Sequence, residues 1–176
     1  MGEDARCILL QQLVYFDFDS NCDFKKGQTL GDWISNFKNN KYYNSQDENV
    51  FSTFYKKVID SVAKDLVLCR MKISDVNKLR SDDSGLIVAF VDERKNSAIV
   101  TFKGTEKRIE WADNVSFLKY DANGSDGVAS RLQEESLKFY RKWHENNKDI
   151  KDVIVSGHSK GGNNATYVTI MDDTNS

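Results

Sequence analysis

The segment from Val153 to Gly162 constrains the fold more than any other part of the chain. It reads V-I-V-S-G-H-S-K-G-G, an apolar β-branched run that passes directly into a glycine-rich turn. The run predicts a short buried strand, and the small residues after it allow a helix to pack closely on that strand. Strand–turn–helix units of this kind are typical of α/β sheets with helices on their faces.

The hydrophobic pattern changes about halfway along the chain. Within residues 1–80, apolar side chains recur at spacings of three and four, which predicts a helical N-terminal region. Beyond it, Leu86–Val91 and Ala98–Phe102 are β-rich runs joined by a short polar loop, which predicts a hairpin or two neighbouring strands. A helix is expected over Val128–Trp143. We therefore expect an α/β fold whose sheet and facing helices occupy residues 81–176.

Four helices are predicted in the N-terminal region. A stripe of apolar side chains over Ile8–Phe16 marks the first. The sequence T-L-G-D at Thr29–Asp32 resembles a capping box and predicts the start of the second. Val50–Arg70 repeats apolar residues on one face, which predicts the third. Val76 and Leu79 are expected to close a short fourth helix before a turn.

Composition excludes several classes of protein. The 25 basic and 27 acidic residues give a net charge of -2, without the basic excess of a nucleic-acid-binding domain. No apolar run approaches the roughly 18 residues that a transmembrane helix needs. Cys7, Cys22 and Cys69 are irregularly spaced, which favours reduced thiols in the cytoplasm over a disulfide framework or a zinc site. We expect a cytoplasmic protein without metal or cofactor.

The pentapeptide Gly157-His-Ser-Lys-Gly161 fits G-x-S-x-G, the nucleophile elbow. In that turn the glycines permit close backbone packing and the serine is exposed at the end of the strand. Ser159 is therefore the candidate nucleophile, and the backbone N–H of Lys160 is a candidate oxyanion donor at a helix N-terminus. His158 is expected to steady the elbow. The alternative is a glycine-rich turn with an incidental serine.

A second candidate donor lies upstream, because this chemistry needs a second N–H from a loop after an earlier strand. Thr105 follows the strand-ending sequence V-T-F-K-G and could offer its backbone N–H and its hydroxyl. The alternative is an ordinary turn glycine followed by a capping threonine.

Three motifs together resemble a known family. They are F-K-G-T at Phe102–Thr105, W-A-D-N at Trp111–Asn114 and G-H-S-K-G-G at Gly157–Gly162. With them the chain resembles lipase-type α/β-hydrolases and is similar to the class-three lipases. It is closest to the Mbeg-like family of bacterial lipase-related proteins, which the front segment Leu10–Phe18 also resembles.

The resemblance implies roles for individual residues. Ser159 would be the acyl nucleophile of a serine esterase or lipase acting on a small-molecule or lipid ester. Thr105 and the backbone of Lys160 would form the oxyanion hole, with Gly157, His158 and Gly161 supporting the elbow. Trp111 matches the tryptophan of a lid helix over the site.

In an α/β-hydrolase the catalytic acid and histidine follow the serine in the chain. The sequence holds only His144 and His158, both before Ser159. We therefore expect this chain to be the front part of a longer hydrolase, with an incomplete sheet, little turnover of its own and an unpaired strand edge open to self-association. The alternative is a non-catalytic scaffold or interaction protein that retains a lipase-like fold.

Overall fold

The computed structural model describes residues 1–15, 23–39, 43, 50–78, 85–103 and 131–172. Within these residues the chain forms six helices and four strands. The helices are α1 (Glu3–Leu13), α2 (Leu30–Lys38), α3 (Val50–Lys64), α4 (Leu66–Arg70), α5 (Arg131–Glu145) and α6 (Lys160–Met171), and the strands are β1 (Lys72–Lys78), β2 (Leu86–Asp92), β3 (Ser97–Phe102) and β4 (Asp152–Gly157).

The four strands form one mixed sheet in the order β1-β2-β3-β4. The first two pairs are antiparallel, so β2 and β3 form the predicted hairpin. β3 and β4 run parallel, and their register pairs Phe102 with Gly157. The described part of the chain is therefore a mixed α/β fold, and the parallel pair brings the ends of β3 and β4 to the same edge of the sheet.

Helices cover both faces of the sheet because successive strand residues point to opposite sides. Phe90 and Ile99 pack into one core with α1 to α4. Ala89 and Val100 pack into a second core with α5 and α6. No helix in the described ranges is both long enough and apolar enough to cross a bilayer.

The prediction of a short fourth helix that included Val76 is wrong, because residues 72–78 form β1. The register of β1 against β2 shifts between Ile73 and Asp75, which inserts one extra residue. This bulge places Ile73 and Val76 on the same face of the sheet, three positions apart. The spacing of three between these apolar residues is typical of helices, but here it results from a bulge in a strand. The sheet therefore begins before residue 81, where the sequence predicts it to start.

The third helix is also shorter than predicted, because the helical conformation is interrupted at Asp65 between α3 and α4. The carboxylate of Asp65 accepts the N–H groups of Val67 and Leu68 at 2.9 and 3.0 Å, which caps α4. It also accepts a hydrogen bond from Arg6 Nε at 3.0 Å.

The predicted cap of α2 is confirmed, since Thr29 Oγ1 accepts the N–H of Asp32 at 3.1 Å.

Candidate functional site

Ser159 stands between β4 and α6 with a backbone that few residues adopt. Its φ is 56° and its ψ is -124°, outside the wells that are sterically allowed to residues with a side chain. A serine before a helix normally accepts an N–H from the first turn. The Ser159 side chain makes no such bond to α6, whose first-turn residues are all described, and it is exposed. The hydroxyl is therefore presented to solvent by a strained turn and not used as a cap.

Gly161 explains why the turn needs glycine after the serine. A Cβ at Gly161 would overlap the carbonyl oxygen of Phe102 and lie 2.9 Å from the carbonyl carbon of Lys103. The first turn of α6 thus rests directly on the backbone at the end of β3. Helix α6 begins at Lys160, so both glycines that follow this lysine are helical.

Gly157 has an equally close neighbour within the elbow itself. A Cβ there would overlap the carbonyl group of Gly161 and lie 2.7 Å from the nitrogen of Gly162. These atoms belong to backbone and cannot move aside as a side chain can. The two motif glycines are therefore steric requirements of the turn, as the sequence predicts.

The elbow is closed by backbone hydrogen bonds. Gly161 donates its N–H to the carbonyl of His158 at 3.0 Å, and Asn163 donates to the carbonyl of Ser159 at 3.1 Å. Lys160 is the first residue of α6, so its N–H lies at the positive end of the helix dipole. That end favours a negative charge that develops beside Ser159.

Helix α1 supports the elbow from the opposite face of the sheet. Gln11 Nε2 donates to Ser156 Oγ at 2.7 Å, just before the turn. The hydroxyl of Tyr15 lies 3.2 Å from the carbonyl oxygen of His158 and 3.3 Å from its Nδ1. Both the ring and the backbone carbonyl of His158 therefore contact the Tyr15 hydroxyl.

The profile of the Mbeg1-like family matches residues 73–175, which is more than half of the chain and includes β2, β3, β4 and the elbow. The chain belongs to the Mbeg1-like family. No curated protein and no solved structure matches it. The family match confirms the family part of the resemblance, and the matched region contains Ser159 and its supporting glycines.

Two predicted site residues of this Mbeg1-like chain, Thr105 and Trp111, lie outside the described residues. Lys103 is the last described residue before Thr105, and its backbone lies against Gly161. The backbone of Phe102 and Lys103 therefore lies beside the first turn of α6.

Both lysines at this junction are buried, which the sequence does not predict. Lys103 is 5% exposed and Lys160 is 6% exposed. Asn164, on the same face of α6 as Lys160, is also buried, and its Oδ1 has no hydrogen-bond partner among the described residues. Nearby, Gln133 of α5 donates to Asn163 Oδ1 at 2.6 Å, which ties α5 to the start of α6.

In the described part of the chain, the ring contacts of both histidines are with aromatic side chains and not with Ser159. The ring of His158 meets the ring of Tyr15 edge-on, with centroids 5.8 Å apart. His144 lies on α5, where it stacks on Tyr140. Within the described ranges no group of three or more metal-ligating side chains lies together.

A groove of about 500 Å³ runs along the outer edge of β4, between α1 and α6. Its floor includes Ile154 and Ser156, and Ile170 stands on its rim with 73% of its surface exposed. Cys7 lines the α1 side, where burial raises the pKa of its thiol, with the nearby Glu3 carboxylate acting in the same direction. In the described residues β4 pairs only with β3, so this groove follows an open strand edge.

Proposed function

We propose that this Mbeg1-like chain carries the nucleophile elbow of a serine hydrolase of the esterase or lipase type. The observation that carries the proposal is the conformation of Ser159, at φ 56° and ψ -124° with an exposed hydroxyl. Such strain costs about 1–3 kcal/mol and persists where the surroundings over-determine it, as they do at active sites. An ordinary glycine-rich turn has no need to force a serine into this conformation.

The proposed reaction begins with attack of Ser159 Oγ on the carbonyl carbon of an acyl ester. The carbonyl oxygen becomes an oxyanion, which the backbone N–H of Lys160 would stabilise at the start of α6. Thr105 is the proposed second donor, because it follows Lys103 by two residues and Lys103 lies against the elbow. Collapse of the oxyanion expels the alcohol and leaves an acyl-serine, which water then hydrolyses.

A serine hydroxyl needs a base within hydrogen-bond reach to react quickly. Because His158 faces Tyr15 and His144 stacks on Tyr140, we expect slow turnover from the chain as printed. Acylation without efficient deacylation would make the acyl-serine accumulate. A family relationship to lipases and an α/β-hydrolase type of sheet remain part of this proposal.

The experiment is acylation by an activated ester such as p-nitrophenyl acetate, followed by peptide mapping. We expect one acetyl group on the peptide that contains Ser159, and none in Ser159→Ala. A matched control is Ser35→Ala, since Ser35 is exposed on α2 and bonds only to the carbonyl of Gly31 in the described structure. Acetylation confined to other residues in the unsubstituted chain would overturn the proposal.

The competing function is a non-catalytic scaffold or interaction protein that keeps the elbow as a structural turn. The observation that favours it is the engagement of both histidines by aromatic neighbours. It predicts no acetylation of Ser159 under any condition.

For the cell compartment we propose the cytoplasm, because Cys7 and Cys69 are free thiols.

A further inference from the structure

The carbonyl oxygen of His158 receives two hydrogen bonds from opposite sides of the sheet. One comes from the N–H of Gly161 at 3.0 Å, and the other from the hydroxyl of Tyr15 at 3.2 Å. This carbonyl belongs to the peptide unit that precedes Ser159, whose orientation sets the φ of the serine. Two donors therefore hold the peptide unit that carries the strained conformation.

The protons in this contact can be counted. A carbonyl oxygen only accepts, so a hydroxyl 3.2 Å away must donate its single proton to it. The same hydroxyl oxygen lies 3.3 Å from Nδ1 of His158. That second contact is attractive only if Nδ1 carries a hydrogen and donates it to Tyr15. The two contacts together assign the proton of the neutral His158 ring to Nδ1 and leave the lone pair on Nε2.

Tyr15 is well placed for this task because α1 anchors it firmly. Leu10, Leu13 and Val14 are fully buried in the core beneath the sheet. One turn before Tyr15, Gln11 donates to Ser156 at 2.7 Å. Helix α1 thus contacts the strand before the elbow, and Tyr15, two residues after the helix ends, contacts the elbow itself, so the position of the hydroxyl is fixed by packing and not by the contact alone.

We propose that Tyr15 is a positioning residue for the elbow, which fixes the peptide unit before Ser159 and holds His158 as its Nδ1–H tautomer. The lone pair of the neutral ring then lies on Nε2, in the exposed residue that directly precedes the proposed nucleophile. The consequence for the reactivity of Ser159 rests on the proposed function, whereas the tautomer of His158 does not.

The decisive experiment is long-range ¹H–¹⁵N correlation NMR of the histidine rings at a pH of about 9, where imidazole is neutral. Only two histidines are present, so His144→Gln leaves the ring signals of His158 alone. We expect the pattern of the Nδ1–H tautomer, and in Tyr15→Phe a change toward the Nε2–H form that predominates in free histidine. The control Tyr167→Phe, on α6, should leave the pattern unchanged. A predominant Nε2–H form with Tyr15 intact, or no change in Tyr15→Phe, would overturn the proposal.

A second readout separates this proposal from the proposed function. Loss of one neutral hydrogen bond predicts a roughly fivefold slower labelling of Ser159 by a fluorophosphonate in Tyr15→Phe. An unlabelled Ser159 in the unsubstituted chain counts against the hydrolase, while the tautomer measurement still decides the role of Tyr15. An unchanged labelling rate beside a changed tautomer would overturn the positioning role.

Discussion

Gly161 lies so close to Phe102 that a single Cβ on the glycine would overlap the carbonyl oxygen of the phenylalanine. This contact joins the first turn of α6 to the end of β3, and the three nearest obstructing atoms, in Phe102 and Lys103, all belong to the backbone. We expect Gly161→Ala to lower the free energy of unfolding by about 3 kcal/mol, at the upper end of the cost of overpacking. Urea unfolding measures the change.

The chain offers graded controls for that substitution. A Cβ at Gly2 meets nothing within 4 Å, so Gly2→Ala should leave the stability nearly unchanged. A Cβ at Gly162 would lie 3.1 Å from the carbonyl oxygen of Gly157, so Gly162→Ala should have an intermediate effect. Equal stability of all three variants would contradict the packing described.

The strain at Ser159 predicts that its removal stabilises the protein. Glycine adopts positive φ without a steric penalty, whereas alanine keeps the Cβ that causes the strain. We expect Ser159→Gly to be about 1 kcal/mol more stable than Ser159→Ala, although both lack the hydroxyl. Thermal and urea unfolding measure the difference. A glycine variant that is less stable than the alanine variant would show that the backbone at this position is not strained.

The ion pair between Arg70 and the buried Asp92 predicts how stability depends on pH. Arg70 Nε lies 3.0 Å from a carboxylate oxygen of Asp92, and this hydrogen bond holds the pKa of Asp92 below its ordinary value. A lowered folded-state pKa means that the contribution is present above the unfolded pKa and is lost as pH falls through the folded value. We therefore expect stability to fall below about pH 4.

Arg70→Met tests that ion pair, because it leaves the Asp92 carboxylate buried without its cation. We expect a loss of stability at neutral pH that exceeds the loss from breaking an exposed ion pair, and a weaker dependence of stability on pH in the acidic range. Lys72→Met is the matched control, since its partner Glu93 is 62% exposed and such pairs contribute little. A similar loss in both variants would contradict the assignment.

In the part of the chain that the structure describes, β4 pairs with β3 alone, which leads us to propose self-association because an unpaired strand edge is a template for another strand. Ile170 stands on the rim of the groove beside this edge and is 73% exposed. We expect sedimentation to detect association that increases with concentration and is weakened by Ile170→Glu. Leu66→Glu is the control, since Leu66 on α4 is 81% exposed. A monomer at every concentration, or equal association in both variants, would contradict the proposal.

Local signals predict local structure well in this chain. Thr29 caps α2 as expected, and β2, β3 and β4 form where β-branched residues cluster. The strand–turn–helix at Gly157–Gly161 follows the sequence because glycine is the only residue that fits. The signals for these elements are local, although the contact that excludes a Cβ at Gly161 is with the distant Phe102.

Other features depend on contacts between distant residues. Ile73 and Val76 have a helical spacing, and only pairing with β2 accommodates the bulge that makes them a strand. Tyr15 and His158 are separated by 143 positions, so no local pattern links them. The sequence therefore predicts the turn that presents Ser159 and a helix over Ile8–Phe16, but not the contact between them.

The central claim is that the fold prepares Ser159 as a nucleophile, and fluorophosphonate labelling with peptide mapping tests it most directly. The account predicts a single label on Ser159 of the folded chain, retained in Ser35→Ala, absent from Ser159→Ala and lost when urea unfolds the protein. An absence of label on folded protein, or labelling that continues unchanged in Ser159→Ala, would contradict it.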